Sequence, residues 1–200
     1  MRNKVIAALA LLLVVVQILL VLVSWIVSAV MPELAMRSLL GSEGIRWLFG
    51  TFTENMQTPL LVWGMLGGIA WGALKGSGLW TYAWQRERGT YRQRFAFRLV
   101  MLELLVFAVT IGTLTLLPHA VLLSVTGHLF PSSFSHSLIP LTCFILCVLS
   151  VSYGLMSGLM HSLADMFHAL SVSLANLMPL WVLYVLGMEL YASFRFVLSM

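Results

Sequence analysis

The chain has 200 residues, 60% of them apolar and only 9% charged, against about 45–50% apolar and about 25% charged in soluble domains. From Leu104 through Ala164, sixty-one residues pass without one Asp, Glu, Lys or Arg, a run that belongs in hydrocarbon and excludes a soluble globular domain. The net charge of +4 and pI near 9.4 do not mark a nucleic-acid binder, because the basic residues sit between apolar runs, where anionic head groups are their neighbours.

A helical span needs roughly 20 apolar residues to cross about 30 Å of hydrocarbon, so this length holds five spans with little left for a soluble domain. The expected fold is therefore all-α and integral to the membrane. One membrane domain over 1–200 carries about five transmembrane helices and one amphipathic interfacial helix. Arg2 and Lys4 precede the first span, an apolar run over 5–30 that exceeds the roughly 7–15 residues of a signal-peptide core and reads as uncleaved. Residues 42–56 read as the interfacial helix. Ile45, Leu48, Phe49, Phe52 and Met56 share one face, Ser42 stands at the start as a cap, and Glu43 suits the positive helix end. Further spans are expected over 59–80, 97–117, 137–159 and 168–193.

Lys and Arg are retained on the cytoplasmic side during insertion. Arg86, Arg88, Arg92, Arg94 and Arg98 face only Glu87 in the loop before the third span, which puts the amino terminus inside and, with five spans, Met200 outside. The segment 118–136 has no formal charge, as an outer loop allows.

Two spans carry rows of small residues. Gly64, Gly68, Gly72 and Gly76 recur every four residues in the second, and Ser150, Gly154, Gly158 and Ser162 do so in the fourth. Such rows let helix backbones approach closely in lipid, either within the chain or, as the alternative, across a dimer interface. Gly68 and Gly72, with Gly154 and Gly158, are the expected points of closest approach. No internal repeat is present, and five spans do not divide into the two equal halves of an inverted-repeat transporter.

Glu103 lies inside the third span, five residues beyond Arg98, and is the candidate proton-carrying group, since ionisable side chains in lipid are functional suspects. Its alternative reading is a hydrogen-bonded structural carboxyl. Glu189 near the outer end of the fifth span is expected to reach the interface or meet Arg195. Cys143 and Cys147 stand four apart in one apolar run and read as packing side chains, not a disulfide. His119, His128 and His136 lack the spacing of a zinc site, and His161 with His168 supplies only two ligands. Ser157, His161 and Asp165 stand four apart in the order nucleophile, base, acid. The chain is expected to turn there, however, with Asp165 capping the fifth span, and an intramembrane serine hydrolase is the weakest of the functional readings. There is no phosphate-binding glycine loop and no haem attachment motif; neither a cofactor, a metal nor an enzymatic activity is expected.

Two stretches resemble the AbgT family of bacterial inner-membrane p-aminobenzoyl-glutamate transporters. The first runs from Ser38 through Gly41-Ser42-Glu43-Gly44-Ile45-Arg46-Trp47-Leu48 to Asn55, Pro59-Leu60 and Ser77-Gly78-Leu79. The second runs from Leu138-Ile139-Pro140 through Tyr153-Gly154, Gly158, Asp165 and Ser173 to Met178-Pro179 and Val182-Leu183. The family's Ser/Gly-rich re-entrant hairpin signatures do not occur, Lys75 replaces a family Glu and His161 a family Lys. The resemblance thus implies the scaffold helices through which the family dimerises, without its substrate-moving core. It points to a homo-dimer or a partner transporter in a bacterial inner membrane. As the alternative, it implies proton-coupled transport of a small aromatic carboxylate by a homo-oligomer.

Overall fold

The computed structural model describes residues 2–31, 33, 36–85, 89–116 and 133–198. All regular structure among them is helical: α1 (Arg2–Val30), α2 (Ser42–Met56), α3 (Pro59–Gly76), α4 (Leu79–Trp84), α5 (Tyr91–Leu116), α6 (Ser133–Ser157) and α7 (Leu163–Val197). Among the described residues four helices are long and apolar enough to cross a membrane, namely α1, α5, α6 and α7. The expected second span is divided. α3 has 18 residues and stops before Gly78, whose φ of 75° is left-handed and closes the helix before α4 begins.

The expected starts of two spans move outward for one physical reason. α5 begins at Tyr91, not Phe97, because Thr90 opens it and its N–H is bonded by Gln93 Oε1 at 3.0 Å, half of a capping box. Arg92, Arg94 and Arg98 therefore stand on the first turns of a helix and not in a loop. α7 begins at Leu163, not His168, because Ser162 and Asp165 form the full box: Ser162 N–H donates to Asp165 Oδ2 at 3.0 Å and Asp165 N–H to Ser162 Oγ at 3.1 Å. For α2 the bounds agree with the expected 42–56, but its N-cap is Gly41 with no side-chain cap. Ser42 is already helical. The expected outer segment 118–136 lies largely outside the described residues, as do His119, His128 and the side chain of His136.

The contacts group into two compact units, Met1–Leu61 with Leu177–Met200, and Val62–Asn176. In the first, Leu39, Phe196 and Val197 form the buried centre, with Leu20, Val21, Met36 and Trp47 around it. Polar groups there serve as fasteners. Gln17 Nε2 donates to Ser193 Oγ at 2.8 Å, and Ser24 Oγ accepts the Leu39 N–H at 3.3 Å while donating to Val21 O at 2.9 Å. Tyr184 donates to Met56 O at 3.0 Å, which leaves its oxygen to accept from Thr58. Each of these bonds satisfies a group that hydrocarbon would otherwise penalise. In the second unit α5 and α6 pack along their length around Leu79, Tyr82, Ala96, Val100, Leu149 and Tyr153.

Candidate functional site

The glycines of α3 do bring backbones together, inside the chain. A Cβ on Gly72 would lie 2.6 Å from Ala169 O, and one on Gly76 would lie 2.5 Å from Ala169 Cβ. The two glycines are the floor on which the first turns of α7 rest. Gly68 is buried as well, in keeping with the reading of this glycine row as packing within the chain; Gly64 is half-buried. The α6 glycines do different work. Gly154 makes room for the Met160 side chain, and Gly158, with φ of 75°, ends α6 beneath the Arg92 guanidinium. Arg92 Nε donates to Met156 O at 2.9 Å, occupying a carbonyl at the helix end, where a cation is also favoured by the helix dipole.

Ser157, His161 and Asp165 do not form a catalytic row. Ser157 Oγ donates to Gly154 O at 3.3 Å, and the Asp165 carboxylate accepts the N–H groups of His161 and Ser162 at 3.0 Å each. The aspartate is a cap, as expected. Cys143 and Cys147 are both free thiols, and among the described residues no three His, Cys, Asp or Glu side chains converge on a metal position.

Two carboxyls lie within long apolar helices. Glu103 is half-buried on α5, and its Oε2 has no hydrogen-bond partner among the described residues. Glu189, in the last third of α7, has both carboxylate oxygens shielded from solvent and faces the Asn55 amide of α2. The expected pairing with Arg195 is not made. Six residues along a helix turn a side chain well away from its starting face, and Arg195 points instead into an open cleft.

That cleft, with a volume of about 510 Å³, lies wholly in the first unit. Arg37, Glu54, Asn55 and Arg195 give it polar walls and Trp47, Met188 and Phe196 an apolar floor. Trp47 stacks on Phe196 with ring centroids 4.5 Å apart, and the Arg37 guanidinium stands 5.7 Å over the same Phe196 ring. Sequence reasoning singled out none of these as a group. The Arg37 N–H to Val197 O bond of 3.1 Å and the packing of Leu39 against Phe196 and Val197, both tertiary contacts, bring the α1–α2 connection to the end of α7.

Long apolar helices fastened by small residues and interior polar bonds define a multi-pass, all-α membrane protein. The chain is similar to the YdaH transporter of Alcanivorax borkumensis, whose crystal structure is described as having an unusual topology. The TM-score is 0.84 at 14% sequence identity, over 96% of this chain and 71% of that one. The relation is one of fold, and it agrees at that level with the AbgT-like stretches of the sequence. No protein-family model and no curated protein matches the chain.

Proposed function

We propose that the chain is a helix-packing scaffold of the transporter type. It assembles with a second copy or with a longer transporter in the same membrane, is not a catalyst, and lacks a complete solute-moving core. The observation that carries this reading is the backbone-close packing of α3 against α7, where Gly72 and Gly76 leave no room for a Cβ beside Ala169. Interior polar groups spent on fastening helices support it too. The arginines opening α5 support a cytoplasmic start for that helix, with the amino terminus on the same side because α3 and α4 together supply the second crossing in this reading, and the AbgT resemblance supports a bacterial inner membrane. Native purification in mild detergent tests the reading: the expected mass is a multiple of 22.2 kDa or that of a complex with a longer membrane protein. A stably folded lone chain in every mild detergent would overturn it.

A second reading, proton-coupled transport of p-aminobenzoyl-glutamate or a similar aromatic carboxylate by a homo-oligomer, is favoured by one observation, the unpartnered Oε2 of Glu103. A carboxyl with a buried, unpartnered oxygen inside an apolar helix is a candidate proton carrier. On this reading proteoliposomes holding only this chain accumulate the solute under an inward proton gradient, and Glu103→Gln removes the gradient-driven part. Uptake equal to that of empty vesicles would eliminate it.

A further inference from the structure

The cleft of the first unit stands at a defined depth. Arg37 follows the end of α1 at Val30, and Arg195 lies in the last turn of α7, so both guanidiniums sit where long apolar helices finish and lipid head groups begin. Its charges are of both signs. Arg195 makes no ion pair among the described residues, and Arg37 shares its charge with Glu43 at 3.4 Å. Glu54, exposed and unpaired in the same way, supplies a carboxylate to the same cleft. Below the polar rim, Arg195, Tyr191, Met188, Tyr184 and Leu180 recur at three- and four-residue spacing along one side of α7. Tyr191 is 57% and Leu180 51% exposed, so an apolar track leaves the cleft towards the hydrocarbon.

We propose that this cleft holds the headgroup of one phospholipid of the phosphatidylethanolamine type. Arg195 and Arg37 take its phosphate, Glu54 takes its ammonium, and an acyl chain lies along the Tyr191 to Leu180 side of α7. Phosphate is the anion guanidinium recognises best through paired hydrogen bonds. A primary ammonium is a three-fold donor that a carboxylate can accept. A phosphatidylglycerol headgroup leaves Glu54 facing no cation, and a phosphatidylcholine headgroup brings a cation that donates no hydrogen bond.

The test is native mass spectrometry of the full chain in mild detergent with an equimolar mixture of dioleoyl phosphatidylethanolamine, phosphatidylglycerol and phosphatidylcholine. One phosphatidylethanolamine is expected to be retained about fivefold over either competitor, the scale of one charged contact near the membrane surface. Arg195→Gln is expected to lower its retention about fivefold, with Arg195→Lys recovering most of it. Glu54→Gln, an exposed position that leaves folding intact, is expected to erase the preference over phosphatidylcholine and carries the test if Arg195→Gln does not fold. Equal retention of the three lipids, no lipid adduct at all, or unchanged retention in Glu54→Gln overturns the proposal. So does displacement of the lipid by soluble phosphoethanolamine, which would make the occupant a free phosphate ester.

Discussion

Gly72→Leu is expected to pull α3 away from the start of α7 and to cost on the order of 3 kcal/mol, read as a sharp fall in the melting temperature by circular dichroism in detergent. The size of the effect follows from what the new side chain meets. Even its first carbon would stand 2.6 Å from Ala169 O, 3.1 Å from Ser173 Cβ and 3.2 Å from Leu170 O. Two of those three atoms belong to helix backbone, which has no rotamer to yield, so α7 itself must move. The contact holds by dispersion at short range, the main attraction between helices in lipid, and an added leucine forfeits it over several residues. Gly67→Leu is the control on the same helix. A Cβ there meets nothing within 4 Å, and leucine has the better helix propensity, so this variant is expected to melt within a few degrees of the parent. Equal melting of Gly72→Leu and the parent would show that the close approach of α3 and α7 contributes nothing.

The four-residue rhythm of Gly64, Gly68, Gly72 and Gly76 made a close approach legible in the sequence, but not its partner. A flat helix face states that some backbone comes near and is silent on whose, and Ala169 to Ser173 supply it only through the fold. Helix existence was likewise readable from apolar runs, and α2 from its one-sided pattern to the residue. Helix starts were not readable from apolarity, because Arg92, Arg94 and Arg98 look like loop residues until Thr90 and Gln93 are seen as a cap. That signal was present in the sequence as Thr-x-x-Gln. The break between α3 and α4 was also signalled, by Gly76-Ser77-Gly78 after Lys75. An apolar run that continues into Leu79 and Trp80 concealed it. The cleft was out of reach altogether, since Arg37, Glu54 and Arg195 lie on three separate segments of the chain and come together only in the folded protein. Glu189 was misassigned for the same reason: Arg195 is its neighbour in sequence and Asn55 its neighbour in space.

Tyr153 separates packing from polarity as the source of the second unit's stability. Its side chain is fully buried, tilted against Tyr82 at 5.7 Å, which in turn lies 5.3 Å from Phe97. Three aromatic rings from α4, α5 and α6 thus meet at the centre of the unit. The Tyr153 hydroxyl has no hydrogen-bond partner among the described residues, so the ring stabilises while its oxygen opposes. Tyr153→Ala is therefore expected to open a cavity among Tyr82, Val100 and Leu149 and to cost on the order of 3 kcal/mol. Tyr153→Phe, which keeps the ring and removes a buried unsatisfied group, is expected to leave stability unchanged or raise it by up to about 1 kcal/mol. Both are read from melting curves of the detergent-solubilised protein, and the gap between the two variants is the informative result. If the phenylalanine variant melts as low as the alanine variant, the hydroxyl and not the ring holds α4, α5 and α6 together. The aromatic cluster would then be a consequence of the helix arrangement and not its cause.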